Sequence, residues 1–422
     1  MRTLHRNVFD IMRGSSAFLL SGVVSSVAPF VVSLLVSRYL GKEALGLFSV
    51  CFAIVLAGVL ISDLGLNSFL LREFAGSQNP STTSLRTLLL VRTGAAFLVG
   101  MLLVAITFLF IPSPNPTVLS AAAFALVMLR SVAGALENVV KARLYRTTYV
   151  LMIIGSSIAH LVLVFAVLSN GLGIVYVFMM MSVVEMAKAF FLAWVLRGDL
   201  SSARSPLRLT IKHLGVVLTQ GLPFAFIGLF TLVIEKAGLF LLAAIQGNAE
   251  AGVFSAADRF LVIGVLLDSA LFASALPVLS LLPSRSHLNH ITKQTLAIVI
   301  SLATLGTVGL FAGAPILIGL TFRFPDSVDL LRILSLSLPA ILLNSVLRIT
   351  LFSVHQEHDV AIAFGTSCFV NIALNVALIP HYGATGAAIA AVVTEYATSI
   401  MYGLLYSRNV TSHLEIEVTK LK

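Results

Sequence analysis

The sequence consists of long apolar runs separated by short connections, and this pattern restricts the fold more than any other feature. A helix that crosses a bilayer needs about 20 mostly apolar residues. Twelve runs of about this length cover residues 14–37, 45–66, 87–111, 117–140, 149–169, 173–197, 214–245, 252–280, 294–320, 328–352, 360–380 and 386–407. They are roughly twice as long as a membrane-spanning strand and do not alternate between apolar and polar residues, so they predict helices.

The composition excludes a soluble protein. Of the 422 residues, 58% are apolar and 11% are charged, whereas soluble domains have about 45–50% apolar and about 25% charged residues. The 27 Lys and Arg and the 18 Asp and Glu are too few to cover the surface of a soluble chain of this length. We therefore expect an all-α polytopic membrane protein. The basic excess reflects orientation in the membrane, and no nucleic-acid partner is expected.

The placement of Lys and Arg predicts the orientation of the chain, because cytoplasmic loops are enriched in these residues. With the N-terminus in the cytoplasm, nineteen Lys and Arg fall in cytoplasmic segments or helix ends. The outer side then has only four, which are Arg38, Lys42, Arg323 and Arg332. An odd number of spans would destroy this bias. We therefore expect twelve transmembrane helices with both termini in the cytoplasm.

The two halves of the sequence resemble each other. The most basic connection, residues 197–213, separates six predicted helices from six others, which predicts an N-terminal lobe over residues 1–205 and a C-terminal lobe over residues 206–422. At a constant offset of 206 residues, the loop after the first helix of each half matches at Gly41 and Gly247, Gly46 and Gly252, Phe48 and Phe254, and Ser49 and Ser255. Because six is even, both halves run in the same direction. This predicts two six-helix bundles related by a pseudo-two-fold axis along the membrane normal, as in parallel-repeat transporters.

Three stretches of the sequence are similar to a known transporter superfamily. They are SRYLGKEALGLFS at residues 37–49, ISDLGLNSFLLREFA at 61–75 and IPHYGATGAAIAAVVTEY at 379–396. The chain resembles the polysaccharide and O-antigen flippases of the multidrug/oligosaccharidyl-lipid/polysaccharide exporter (MOP) superfamily. The resemblance implies a V-shaped pair of six-helix bundles in a bacterial inner membrane. It also implies a cargo that is a sugar chain attached to a polyprenyl pyrophosphate.

Four cations lie well inside the predicted membrane helices: Arg130, Lys188, Lys236 and Arg259. Each would cost about 2.5–3.5 kcal/mol if it faced lipid, so they must face protein or a hydrated cavity. The functional interpretation is a cationic cavity that binds the anionic headgroup of the substrate, since Arg offers pyrophosphate a bidentate fork. The alternative is local ion pairing, because Lys188 follows Glu185 by three residues on one helix face.

Acidic residues inside the spans are candidates for binding a driving cation, either a proton or sodium. These acids include Asp63, Glu185, Glu235, Asp258, Asp268 and Glu395, and the preferred ion-coupling candidates among them are Glu235, Asp258 and Glu185. Glu235 directly precedes Lys236, and Asp258 directly precedes Arg259, so we expect these neighbours to point in different directions and not to pair. No cofactor and no bound metal are expected.

Two further expectations concern helix geometry. Gly221 and Pro223 lie about a third of the way into the long seventh run. Proline removes a backbone hydrogen bond and kinks a helix, so the interpretations are a hinge that bends during transport and a static kink. Asp63 and Asp268 lie near the cytoplasmic ends of corresponding helices, where helix capping or interfacial ion pairing is expected.

The sequence has no G-x-x-x-x-G-K-[ST], H-E-x-x-H or G-x-S-x-G motif, so we do not expect an enzyme. We predict a flippase that moves a polyprenyl-pyrophosphate-linked oligosaccharide across the bacterial inner membrane for polysaccharide or O-antigen biosynthesis. Its expected partners are this lipid-linked substrate, membrane lipids and other polysaccharide-assembly proteins. The alternatives are a cation-coupled multidrug antiporter of the same superfamily, a non-transporting membrane scaffold and a polymerase.

Overall fold

The computed structural model describes residues 2–63, 85–110, 116–143, 145–198, 229–280 and 285–411, which form helices joined by short turns. The chain divides into two compact units, Met1–Leu229 and Phe230–Lys422. The predicted all-helical class is therefore confirmed for the described residues. The predicted lobe boundary at residues 205 and 206 lies outside them, as do the hinge candidates Gly221 and Pro223, so these stay predictions.

The N-terminal unit is built from long helices that follow the predicted apolar runs. Their bounds are Arg2–Asp63 (α1), Leu85–Phe110 (α2), Pro116–Ala142 (α3), Arg146–Ser169 (α4) and Ile174–Val195 (α5). α1 contains the first two runs and is interrupted at Gly41, where φ is 83° and ψ is −174°. This combination is open essentially only to glycine, because a Cβ would clash with the backbone. Gly41 therefore separates the first two predicted helices.

The C-terminal unit is also built from helices, with more interruptions. Its helices are 229–245 (α6), Asn248–Asp258 (α7), Val262–Ser280 (α8), Arg285–Leu320 (α9), Ser327–Ser335 (α10), Leu338–Ser353 (α11) and Glu357–Tyr406 (α12). A short 3-10 turn, Arg259–Leu261, joins α7 to α8. α12 contains the last two predicted runs, which are separated at Gly383 with φ of 54° and ψ of −133°.

Each unit has a core of its own. In the N-terminal unit, α3 packs against α5 and α2, while α1 packs against α4. Buried residues such as Leu136, Tyr149 and Leu192 form a cluster that joins α3, α4 and α5. In the C-terminal unit, α11 packs against α8, α9 and α12, around buried residues that include Leu347 and Tyr402. Because the helices of one unit pack against each other, charged side chains on facing helices can form ion pairs within that unit.

The surface of the described residues is strongly apolar, as a membrane protein requires. Leu98, Phe190 and Phe369 are 72%, 71% and 74% exposed, and soluble proteins rarely present so many large apolar side chains together. Within the described residues, seven helices are long and apolar enough to cross a membrane. The chain is thus a multi-pass helical membrane protein. The number of twelve spans, the pseudo-two-fold axis and the orientation stay predictions.

Candidate functional site

Glu137 bridges two lysines inside the N-terminal unit. Its Oε2 lies 2.9 Å from Lys188 Nζ on α5, and its Oε1 lies 3.0 Å from Lys141 Nζ on α3. Lys188 Nζ also lies 3.5 Å from Glu185 Oε2, and these two side chains are only 11% and 4% exposed. The ion pair between Glu185 and Lys188 that their spacing allowed is therefore present. Lys188 has two carboxylate partners, one of which the sequence did not reveal.

Arg130 lies on α3 in a different environment. Its guanidinium carbon is 5.4 Å from the centre of the Phe52 ring on α1. An arginine over an aromatic face is stabilised by the electron density of the ring, but its charge is not neutralised. Within the described residues, no carboxylate forms an ion pair or hydrogen bond with Arg130. Its N–H donors are therefore not committed to a carboxylate.

Lys236 is paired with two carboxylates in the C-terminal unit. Its Nζ lies 3.6 Å from Asp258 Oδ2 on α7 and 4.0 Å from Glu235 Oε2 on its own helix. The expectation that Glu235 and Lys236 would not pair was wrong. The reason is the flexible four-carbon stem of lysine, which lets one ammonium group lie between a neighbouring residue and the next helix.

Arg259 occupies the break between α7 and α8. The 3-10 turn Arg259–Leu261 interrupts a run that was predicted as one helix, and such a stretch inside a helix often marks a functional position. Arg259 is partly buried. Its sequence neighbour Asp258 is engaged by Lys236, and in the described part of the chain no carboxylate lies within ion-pair distance of Arg259.

The four predicted cations therefore fall into two kinds, with one of each kind in each unit. Lys188 and Lys236 hold carboxylates, while Arg130 and Arg259 have none among the described residues. The predicted ion-coupling residues Glu185, Glu235 and Asp258 are the carboxylates beside the lysines. Chemically, the arginines are the groups that can accept an external anion without first releasing an internal one.

Two further ion pairs join helices, one in each unit. Arg92 Nη1 lies 2.6 Å from Asp63 Oδ1, and Arg348 Nη2 lies 2.7 Å from Asp268 Oδ1. Asp63 and Asp268 thus each form an ion pair, one of the two expected roles, and they occupy nearly equivalent positions of the sequence repeat. Their partners could not be read from the sequence, since Arg92 is on α2 and Arg348 is on α11. Arg92 is only 1% exposed.

Comparison with known proteins identifies both a family and a fold. A family model described as "Polysaccharide biosynthesis protein" matches residues 11–282. No match was found among curated proteins.

Several solved structures have the same fold. An inward-facing multidrug resistance MATE family transporter of the MOP superfamily is 16% identical, with a TM-score of 0.69 over 92% of this chain and 95% of that chain. The lipid II flippase MurJ in an inward closed conformation is 15% identical, with a TM-score of 0.66 over 93% of this chain and 86% of that chain. A MOP superfamily transporter from Pyrococcus furiosus, whose reversed binding-pocket polarity has been taken to suggest a different function, is 16% identical with a TM-score of 0.62, covering 95% of each chain. At these identities the likeness establishes the fold alone.

Proposed function

The chain belongs to the polysaccharide biosynthesis protein family, and on this premise we propose that it is a flippase for a polyprenyl-pyrophosphate-linked oligosaccharide. It would move this substrate across the bacterial inner membrane through twelve helices with both termini in the cytoplasm. A flippase changes the side of the membrane on which its substrate lies and makes or breaks no covalent bond. The chain therefore acts as a transporter and not as an enzyme.

The observation that carries this proposal is the pair of arginines that have no carboxylate partner among the residues the structure describes. Arg130 in the N-terminal unit and Arg259 in the C-terminal unit retain their positive charge and their N–H donors. A cation inside a membrane protein that is not held in an ion pair costs about 2.5–3.5 kcal/mol if it faces lipid, so such a residue is a candidate for a functional role. A substrate with an anionic pyrophosphate supplies that reason.

Arginine is suited to this substrate by its geometry. The planar guanidinium group presents parallel N–H donors that match two phosphate oxygens, whereas a lysine ammonium acts as a point charge. Lys188 and Lys236, which were predicted for the same role, must leave a carboxylate before they bind a phosphate. We therefore assign substrate binding to Arg130 and Arg259 and a supporting role to the two lysines.

The proposal also includes residues that bind a driving ion and residues at which a helix bends. Glu185, Glu235 and Asp258 are candidates for binding a proton or sodium ion, because a cation at any of them would compete with its lysine partner. Gly221 and Pro223 are candidates for the hinge. The coupling assignment rests on the neighbouring lysines, and the hinge assignment rests on the sequence alone.

An export assay in a deletion strain tests the function. We expect a strain that lacks this chain to accumulate labelled lipid-linked oligosaccharide on the cytoplasmic face, and the wild-type gene to restore its appearance on the periplasmic face. Arg130→Ala and Arg259→Ala should restore export poorly at equal protein level. Arg332→Ala, whose residue lies on α10 in an ion pair with Asp329, is the matched control and should restore it fully. Normal export without the chain would contradict the proposal.

A cation-coupled multidrug antiporter is the second candidate. It is favoured by the fold shared with MATE transporters and by Glu235 and Asp258, whose side chains are 45% and 32% exposed, because an exposed acid attracts a cationic drug. Under this alternative, the deletion strain would become sensitive to lipophilic cations while its surface polysaccharide stayed unchanged. Glu235→Gln would then abolish resistance, and Arg259→Ala would leave it intact.

A further inference from the structure

Glu395 lies in the last part of α12, and its carboxyl group has an uncharged partner. Asn344 Nδ2 on α11 donates a hydrogen bond to Glu395 Oε2 at 2.9 Å and another to its backbone oxygen at 3.0 Å. Ser399 Oγ donates to Asn344 Oδ1 at 2.7 Å and thereby fixes the orientation of the amide. In the part of the chain that the structure describes, no Lys or Arg forms an ion pair with Glu395. We infer that Glu395 is a proton-binding site of the C-terminal unit.

The charges around Glu395 favour a bound proton. Besides Asn344, the charged groups near Glu395 are Glu235, Arg348 and Asp268. Arg348 is the cation among them, and Asp268 already holds it through two hydrogen bonds of 2.7 and 2.9 Å from Nη2. Glu235 and Asp268 are themselves acids and oppose another negative charge. A bound proton removes that repulsion, together with the cost of an unpaired charge inside a membrane.

The other charged groups on the elements packed against α12 are engaged elsewhere. Each has a partner other than Glu395: Arg332 bonds to Asp329 at 3.0 Å, Glu250 accepts from the backbone nitrogen of Ala384 at 3.4 Å, and Lys236 lies 3.6 Å from Asp258. Arg408 follows the C-terminal end of α12. Glu395 thus differs from the predicted coupling residues Glu185, Glu235 and Asp258, each of which has a lysine within 4.0 Å.

A row of polar side chains runs along α12 from this carboxyl group. Ser399 and Tyr402 follow Glu395 by four and seven residues, so all three lie on one face of the helix. Tyr402 is 1% exposed, and its hydroxyl group has no hydrogen-bond partner among the described residues. It lies within electrostatic range of Glu395 and of the pair formed by Arg348 and Asp268.

This row provides a route for proton exchange. Buried polar atoms without protein partners are the usual positions of ordered water, and both Tyr402 Oη and Arg348 Nε are such atoms within the described residues. A hydroxyl group and water can relay a proton between Glu395 and the Arg348–Asp268 pair. The exchange is an acid–base step: the carboxylate takes a proton from a hydronium ion and later returns it to water, with no change in oxidation state.

Infrared difference spectroscopy of the full chain in lipid vesicles tests this site without any substrate, so its outcome is independent of the flippase proposal. We expect the wild-type protein at neutral pH to show the carbonyl band of a protonated carboxylic acid, which shifts on exchange into heavy water. Glu395→Gln should lose this band. The matched control Glu185→Gln should keep it, because Glu185 is paired with Lys188. A band that survives in Glu395→Gln would overturn the inference.

A second variant keeps the test decisive if Glu395→Gln does not fold. Asn344→Leu removes the amide that donates to Glu395 while leaving the carboxyl group in place. We expect the same carbonyl band at a shifted frequency, because the hydrogen bond to the acid is lost. An unshifted band in folded Asn344→Leu would show that the protonated acid is elsewhere and would overturn the inference as well.

Discussion

Gly41 and Gly247 adopt nearly the same backbone conformation, with φ and ψ of 83° and −174° in one and 92° and 174° in the other. They are separated by the 206 residues of the sequence repeat. Each follows the first helix of its half, and each lies in a region of conformational space that only glycine occupies readily. The repeat seen in the sequence therefore has a local structural counterpart in both units.

Alanine at either of these glycines should destabilise the protein. Open space surrounds both positions, so the cost comes from the backbone alone and should be about 1–3 kcal/mol. The measurement is the free energy of unfolding in detergent. Gly94→Ala is the control, because Gly94 is helical with nothing within 4 Å; it should leave stability unchanged or raise it by up to about 1 kcal/mol. Equal effects at Gly41 and Gly94 would contradict the assigned conformation.

Arg92→Met should be among the most damaging single substitutions in the N-terminal unit. It removes the guanidinium group that bonds to Asp63 and to Ser131 Oγ. Breaking a buried ion pair from one side costs about 3–5 kcal/mol. The double variant Arg92→Met/Asp63→Leu should recover much of this loss. For comparison, Asp329→Asn breaks a pair in which Asp329 is 83% exposed and should cost at most about 1 kcal/mol.

Replacing Lys188 should lower the free energy of unfolding more than replacing Arg130. Lys188→Met removes the cation shared by Glu137 and Glu185 and should cost about 3–5 kcal/mol. Among the described residues, Arg130→Met removes a contact with Phe52, worth about 0.5–2 kcal/mol, and a cation that no described carboxylate pairs with. It should therefore be clearly less destabilising. Equal losses of unfolding free energy in the two variants would contradict the division of the cations into paired and unpaired kinds.

Gly386→Ala should disturb the bend in α12. A Cβ at this position would lie 2.6 Å from the backbone oxygen of Leu378, and backbone atoms cannot move aside as a side chain can. Overpacking of this kind costs about 1–3 kcal/mol. The thermal unfolding midpoint in detergent measures the effect. Gly403→Ala, which meets nothing within 4 Å in the same helix, should leave the midpoint unchanged; equal shifts would contradict the close approach.

The helical elements could be predicted from the sequence, because a long apolar run in a membrane must form a helix to satisfy its backbone hydrogen bonds. The interruptions at Gly41 and Gly383 coincide with glycines between predicted helices. The 3-10 turn at Arg259 was not foreseen, since it contains neither glycine nor proline.

For the candidate site, the sequence predicted which charged residues lie inside the protein but not most of their partners. Spacing along one helix revealed the pair of Glu185 and Lys188, because residues three apart share a face. It could not reveal that Glu137 reaches Lys188, since that contact joins two helices. The distinction between lysines that pair with carboxylates and arginines that have no carboxylate partner in the described ranges depends on such contacts. A sequence pattern along single helices does not contain them.

Binding of undecaprenyl pyrophosphate to the purified protein in detergent tests the role of Arg130 and Arg259 most directly. Loss of one charge-assisted hydrogen bond costs about 1.5–3 kcal/mol, so Arg259→Ala and Arg130→Ala should each weaken binding roughly 10- to 100-fold. Arg332→Ala should bind as the wild-type protein does, and undecaprenyl monophosphate should bind more weakly than the pyrophosphate. Unchanged affinity in both arginine variants would contradict the assignment of these residues to the substrate.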